Sequence, residues 1–262
     1  MAGDEKFLQI VRLRQIADEG KTIFFQQNGE RRLARHQNHR GTDIAGRVEN
    51  FLAARFQQFQ QPRVFLTAAA AETDDVDALR FYVLRELDIG PDGNWTDAGF
   101  KSRYQAELAN GLGNLVNRSL SMLKRYRNGV VPTRSDELAA DAAKAADETR
   151  ALFKQSQLQS ALQSIWGLVN RANQYVDQTA PFKLAKDPAQ AARLDEVLYN
   201  LAESCRVLAV LLNPFLPGTS AKIYAQLGLT GAPDKLAEAT WGGLQAGHTI
   251  GEPAPLFPRK DV

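Results

Sequence analysis

The stretch YQAELANGLGNLVNRSLSMLKRYR, residues 104–127, decides the fold of this chain. Apolar or small side chains recur in it at spacings of three and four residues, which is the periodicity of one helix face. The members of this stripe are Tyr104, Leu108, Leu112, Leu115, Ser119, Met122 and Tyr126. The pattern predicts a long amphipathic helix with one face buried against other helices.

A second, polar stripe lies beside the first on the same predicted helix. It consists of Gly111, Asn114, Arg118, Ser121 and Arg125. Guanidinium and amide groups are forked hydrogen-bond donors that can read base edges, so the stripe is suited to contact with a nucleic acid. Asn and Arg spaced by four residues also occur on ordinary solvated helices. The helix alone leaves both interpretations open.

Helical patterns flank this stretch on both sides. The segment DALRFYVLRE at residues 77–86 predicts a preceding helix, and Thr96 and Asp97 are suited to begin the long one. Gly129 and Pro132 are expected to end it.

The patterns after residue 134 predict further helices. One helical stretch begins at Ser135 and runs to about Val176. The clearest apolar stripe follows it, formed by Leu194, Leu198, Leu201, Cys205, Leu208 and Leu212. A short helix is predicted at 219–227, and the Gly- and Pro-rich sequence WGGLQAGHTIGEPAPLFPRKDV then predicts an extended tail.

These elements predict an all-α fold, a helical bundle of about five helices with an extended C-terminal tail, over residues 76–262. Residues 1–75 differ in texture and are expected to form an irregular N-terminal segment of uncertain fold. This segment is rich in Gln and Arg, and residues 1–66 carry 11 basic and 7 acidic side chains. Its stretch PRVFLTAAAA could hold one strand or the entry to a helix.

The composition is that of a soluble globular protein. The 262 residues are 44% hydrophobic and 24% charged, and the net charge of +2 permits contact with a polyanion without requiring it. The single cysteine, Cys205, excludes an intramolecular disulfide and favours the cytoplasm. Because Cys205 lies on an apolar stripe, we expect a buried hydrophobe and not a reactive thiol. No stretch is long enough to span a membrane.

The histidines do not form a pattern that predicts an active site or a metal site. His36 and His39 have no carboxylate or cysteine at a ligand-like spacing, and His248 stands alone in the tail. Phosphate-binding loops of the G-x-x-x-x-G-K-[ST] and G-x-G-x-x-G types are absent. We therefore predict no catalytic residue and no metal ligand in this chain.

Six ordered segments together resemble the C-terminal half of a methionyl-tRNA synthetase, a class I aminoacyl-tRNA synthetase. The resemblance covers about residues 76–259. The segments are DALRFY (77–82), DGNW (92–95), ELANGLGNLVNR (107–118), DQTAPFKLAKD (177–187), LYNLAESCRVLAVLLNPFLPGTSAKIY (198–224) and WGGLQAGHTIGEPAPLFPR (241–259). The resemblance implies a helical domain that binds the anticodon stem-loop of tRNA(Met).

The resemblance also assigns contacts within this domain. It places anticodon-base contacts on Asn114 and Arg118, and base stacking on the aromatic residue of an A-P-W-K motif, which is Phe182 in the A-P-F-K of this chain. A phenyl ring is smaller than indole and lacks its N–H, so we expect part of the stacking energy to remain. We expect supporting RNA contacts from Ser121, Arg125 and Lys183.

The family uses ATP and Mg²⁺, but its catalytic motifs, H-I-G-H and K-M-S-K-S, are absent from this chain. The segment RGTDI at residues 40–44 is similar to the residues that follow the lysine loop in the family. The five residues before it, where the family has that loop, read RHQNH. We expect no cofactor here and no aminoacylation without a catalytic domain, which could be a separate synthetase subunit. Two alternatives stay open, a fragment or damaged product of a full methionine–tRNA ligase gene and a free-standing protein-interaction bundle.

Overall fold

A computed structural model describes residues 76–86, 96–231, 233 and 235–258 of the chain. Within these residues the structure is helical, with one isolated antiparallel β-bridge between Val130 and Thr249 and no strand. The prediction of an all-α fold is confirmed. The predicted features of residues 1–75, including the PRVFLTAAAA stretch and the His36–His39 pair, lie outside the described residues, as does the DGNW segment.

The described residues form nine helical elements longer than a 3₁₀ turn. They are α1 (Val76–Glu86), α2 (Asp97–Arg103), a π-helix (Tyr104–Gly113), α3 (Asn114–Arg127), α4 (Ala139–Lys154), α5 (Leu158–Thr179), α6 (Pro181–Leu184), α7 (Ala191–Leu212) and α8 (Pro217–Gln226). Short 3₁₀ turns occupy Pro188–Gln190 and Leu236–Glu238. None of the helices described is long and apolar enough to cross a membrane.

The predicted long helix is one continuous element in three parts, α2, the π-helix and α3. Thr96 caps its N-terminus, where the side-chain oxygen accepts a hydrogen bond from the N–H of Gly99 at 3.1 Å. It ends where Asn128 and Gly129 adopt left-handed conformations. The predicted apolar stripe is buried from Tyr104 to Ser119, while Met122 and Tyr126 are half-buried near the C-terminal end.

The stretch from Ser135 to Val176, predicted as one helical run, is two helices that pack against each other. The connection is residues 155–157, in which Ser156 has a left-handed φ of 60°. A helical hairpin lets both apolar faces contact each other, which a single helix of this length could not do. The prediction of one continuous stretch was wrong at this point.

Helix α7 lies at the centre of the bundle. Its predicted stripe is buried, and all the remaining residues from Val197 to Leu212 are buried as well. The helix is therefore not amphipathic over this length. Burial raises the pKa of Cys205 to about 12, so this thiol stays protonated at neutral pH. The expectation that Cys205 is a buried hydrophobe agrees with this environment.

The ion pair of Glu203 and Arg206 explains how a helix with charged residues can be central. Both side chains are buried, and the Glu203 carboxylate accepts backbone hydrogen bonds from Gly242, Gly243 and Leu244 at 2.8–2.9 Å. Arg206 donates to this carboxylate at 2.7 Å and to the carbonyl oxygens of residues 238 and 240. The pair thus fastens the beginning of the C-terminal tail to the central helix.

The tail then crosses the C-terminal end of α3 and returns along the π-helix. Val131 donates to the carbonyl of His248 at 2.8 Å, and the imidazole Nε2 of His248 hydrogen-bonds the carbonyl of Leu227 at 2.7 Å. Farther along, the ring of Phe257 contacts that of Tyr104 edge-on at 6.0 Å between centroids. The tail is a structural strap across the helix that carries the polar stripe.

Candidate nucleic-acid interface

Asn114 and Arg118 lie one turn apart in the first half of α3. Leu115 and Ser119, which follow them directly, are buried in the bundle, and this packing turns Asn114 and Arg118 towards the surface. Asn114 is exposed, and the Arg118 side chain keeps 34% of its surface accessible. The polar stripe predicted from sequence is therefore displayed by the fold.

Arg118 is oriented by an acidic residue of the neighbouring helix. Its Nη1 and Nη2 atoms lie 3.5 and 3.4 Å from Oδ1 of Asp177, in the last turn of α5. These are long contacts at the outer limit of hydrogen bonding, and the Asp177 side chain is 70% exposed. The guanidinium is held in one region but remains accessible to another acceptor.

A sharp turn after α5 presents Phe182. Ala180 ends α5 in a left-handed conformation with φ of 45°, and Pro181 is buried at the first position of the four-residue helix α6. The buried proline anchors the turn, so that the next side chain, Phe182, points outward with 45% of its surface exposed. The A-P-F-K motif thus builds a rigid support for an exposed aromatic ring.

The structure brings the turn and the polar stripe to the same end of α5. Asp177, the partner of Arg118, precedes Phe182 by five residues, and only Ala180 lies between the end of α5 at Thr179 and the start of α6 at Pro181. One turn earlier, the amide of Asn173 donates to the carbonyl of Gly111 at 3.2 Å. These two contacts align α5 with the helix that carries Asn114 and Arg118.

The three side chains predicted to support RNA contact are also on the surface. Ser121 and Arg125 are exposed on the following turns of α3, and Lys183 is exposed beside Phe182. The Arg125 guanidinium carbon lies 5.8 Å from the centroid of the Tyr126 ring. The roles of all six predicted contact residues stay predictions.

Asn173 and Asp177 belong to this candidate site by their contacts with Gly111 and Arg118, and the sequence analysis did not single them out. Their spacing of four places them on one face of α5, and Asn170 precedes them on the same side. This polar stripe on α5 is a sequence signal that could have indicated a polar contact with the stripe on α3. The partner helix could not be chosen from sequence, because residues 118 and 177 are 59 positions apart.

Comparison with family models identifies the domain. Residues 127–261, more than half of the chain, match the model described as the anticodon binding domain of methionyl tRNA ligase. The chain belongs to this family. A second model, for class I tRNA synthetases of the methionine type, matches residues 48–120 of the chain. Its match includes Asn114 and Arg118 and extends across residue 76, so the predicted domain boundary there stays a prediction.

Curated relatives and solved structures agree with the family. The chain is 39% identical over 193 residues to methionine–tRNA ligase of Caldanaerobacter subterraneus and 40% identical over 195 residues to that of Bacillus subtilis. Each match covers 71% of this chain but only 30% and 29% of the relative. The apo methionyl-tRNA synthetase of Mycobacterium tuberculosis superposes with a TM-score of 0.68 at 34% identity, covering 76% of this chain and 41% of that one.

Proposed function

We propose that this methionyl-tRNA ligase domain binds tRNA(Met) by its anticodon stem-loop and serves methionyl-tRNA formation together with a catalytic domain. The observation that carries the proposal is the placement of Arg118 against Asp177, directly before the turn that exposes Phe182. A forked cation and an exposed ring at one corner of the bundle suit unpaired bases, which proteins bind by stacking and edge contacts.

In this proposal each side chain has a separate task. The Phe182 ring stacks on one anticodon base, and stacking of this kind contributes ~1–3 kcal/mol per base. Asn114 and Arg118 hydrogen-bond the edges of anticodon bases, since an amide offers both donor and acceptor and a guanidinium offers two parallel donors. The supporting contacts to the sugar–phosphate backbone of the RNA come from Ser121, Arg125 and Lys183.

The Arg118–Asp177 pair is suited to exchange partners when RNA binds. Exposed ion pairs contribute roughly 0–1 kcal/mol to stability, so replacing Asp177 by a base edge costs the fold little. The pair restricts the guanidinium to the region where the base is read, which reduces the entropy lost on binding.

Activation of methionine requires groups that these residues do not supply. Neither the H-I-G-H nor the K-M-S-K-S motif occurs in the 262 residues. We infer that ATP chemistry belongs to a catalytic domain acting with this one, in the same protein or as a separate subunit. ATP–pyrophosphate exchange with methionine is expected to be undetectable for this chain alone.

The test is binding of the purified chain to initiator and elongator methionine tRNAs and to a control tRNA(Met) with an altered anticodon. We expect both methionine tRNAs to bind more tightly than the control. Arg118→Ala and Asn114→Ala should each weaken cognate binding by about 1–3 kcal/mol. Equal affinity of the wild-type chain for all three RNAs would overturn the proposal.

A further inference from the structure

Two side chains of α5 contact the helix that carries the polar stripe, and the two contacts differ in quality. Near the end of the π-helix, the side-chain amide of Asn173 donates to the carbonyl of Gly111 at 3.2 Å in a partly buried position. One turn later, Asp177 meets Arg118 at 3.4 and 3.5 Å and is largely exposed. The contact between the two helices is therefore well defined at Asn173 and loose at Asp177.

The Asn173 amide is itself held in place by its own helix. Its nitrogen serves two acceptors, as its two hydrogens allow, and the second acceptor is the carbonyl of Val169 at 3.1 Å, one turn earlier on α5. Because one hydrogen is bound within α5, the other is directed at Gly111. The half-buried position of Asn173 protects this bond from competition by water.

The Gly111 carbonyl is also an acceptor for the first residue of α3. The backbone N–H of Asn114 donates to the carbonyls of Gly111 and Ala109, which lie three and five residues earlier. An N–H in a regular α-helix donates to the carbonyl four residues earlier, so α3 begins at a change of hydrogen-bond register. Asn173 holds one of the two carbonyls on which this change depends.

A different register at this junction would alter the direction of the Asn114 side chain. Conversion of the junction to α geometry removes one residue from the turn, and one residue corresponds to about 100° of rotation around the helix axis. Leu115 and Ser119 are buried in the bundle and keep the rest of α3 in place. The rotation would therefore be confined to the residues between Gly111 and Asn114, and Arg118 would stay where it is.

We propose that Asn173 is a positioning residue for anticodon recognition. By fixing the Gly111 carbonyl, its amide holds Asn114 in the direction in which that side chain meets an anticodon base. The inference rests on the proposed function, since it concerns the same site, and it gives Asn173 no contact with the RNA. Base contacts by Arg118 and Phe182 do not depend on this amide.

The test measures binding of the CAU stem-loop and of stem-loops with one changed anticodon base. Asn173→Leu keeps a side chain of similar size but cannot donate a hydrogen bond. The preference for CAU over one of the changed loops should fall by roughly 2- to 10-fold, the range for one neutral hydrogen bond. Asn173→Asp keeps the shape and the polarity but has no donor at neutral pH, and it should give the same fall.

A double-mutant cycle separates positioning of Asn114 from a general loosening of the fold. In an Asn114→Ala background, Asn173→Leu should cause no further loss of the CAU preference, because the side chain that it positions is gone. In a Phe182→Leu background, Asn173→Leu should cause its full loss. Equal additional losses in the two backgrounds would overturn the inference.

Ser164→Ala is the matched control on the same helix. The Ser164 hydroxyl donates to Glu148 at 2.8 Å and so connects α5 to α4 instead of to the π-helix. Each of the two variants, Ser164→Ala and Asn173→Leu, removes one hydrogen bond between α5 and a neighbouring helix, but Ser164→Ala should keep the CAU preference. If both variants lower this preference equally, the inference is wrong.

The anticodon proposal and this inference fail in different ways. A wild-type chain that binds all the stem-loops equally contradicts the anticodon proposal, and no base contact is then left for Asn173 to position. A wild-type chain that prefers CAU, and that keeps this preference in both Asn173 variants, overturns only the positioning of Asn114.

Discussion

Phe182 is an aromatic residue whose side chain is exposed on the surface of the bundle. Among the described residues it is one of three large apolar side chains with an exposed surface, and Val76 and Val130 are the others. Its turn is held by the buried Pro181 and by the N–H of Lys183, which donates to the carbonyl of Ala180 at 2.7 Å. The ring is displayed by a rigid support, as a stacking platform requires.

Substitution of Phe182 should change RNA affinity with little effect on stability. Phe182→Leu keeps an apolar side chain but removes the ring, and we expect binding of the CAU stem-loop to weaken by about 1–3 kcal/mol. Phe182→Trp introduces the Trp that the family resemblance implies at this position and should strengthen binding by ~0.5–1 kcal/mol through a larger stacked area. Titration followed by fluorescence anisotropy measures both. Unchanged affinity in both variants would exclude Phe182 as the platform.

The sequence indicates candidate contact residues but not how they are arranged in space. Asn114, Arg118 and Phe182 were predicted because they lie in segments that resemble the family. Asp177 lay inside one of those segments and was not recognised, because its role depends on packing between α3 and α5. A spacing pattern describes one helix at a time and does not specify which polar stripes face each other.

At the scale of elements, the π-helix at Tyr104–Gly113 is the feature that periodicity could not predict. Apolar residues spaced by four, such as Tyr104, Leu108 and Leu112, form one face in either α or π geometry. The stripe therefore predicted the buried face correctly and left the hydrogen-bond register open. The turn at Ser156 was missed for a different reason, since residues 155–157 contain neither Gly nor Pro.

Two glycines of the π-helix provide a matched test of its packing. A Cβ on Gly113 would lie 3.0 Å from the carbonyl oxygen of Leu108 and 3.5 Å from the ring of Phe257, so the strap or the helix must shift. Gly113→Ala should lower the free energy of unfolding by roughly 1–3 kcal/mol, the range for overpacked sites. Urea denaturation should show no such loss for Gly111→Ala. Equal effects of the two substitutions would contradict this packing.

At the scale of the whole described unit, the C-terminal tail is part of the bundle and not an appendage. The buried Glu203–Arg206 pair fixes its start, and Tyr104 fixes its end by donating to the carbonyl of Pro258 at 2.9 Å. The sequence predicted an extended tail but not its path, because the anchoring carboxylate is hidden in a helix whose leucines suggested one apolar face. Three backbone N–H groups donate hydrogen bonds to this carboxylate, and they stabilise its negative charge at the centre of the bundle.

Removal of the buried carboxylate should therefore be costly. Glu203→Ala leaves Arg206 buried without its partner and frees three N–H groups of the tail, so we expect a loss of about 3–5 kcal/mol in the free energy of unfolding. Glu196→Ala is the control, because Glu196 pairs with Arg193 on the same helix but is exposed, and its loss should stay within ~1 kcal/mol. Similar losses in the two variants would show that the buried Glu203–Arg206 pair does not contribute this part of the free energy of unfolding.

We propose that α3 and α6 together select the anticodon of tRNA(Met). The most direct measurement is competition against a labelled CAU stem-loop by unlabelled stem-loops that each change one anticodon base, performed on the wild-type chain and on Arg118→Ala. We expect the wild-type chain to favour CAU by about 1–3 kcal/mol over at least one changed loop, and Arg118→Ala to lose this preference. If all loops compete equally with the wild-type chain, the claim is wrong.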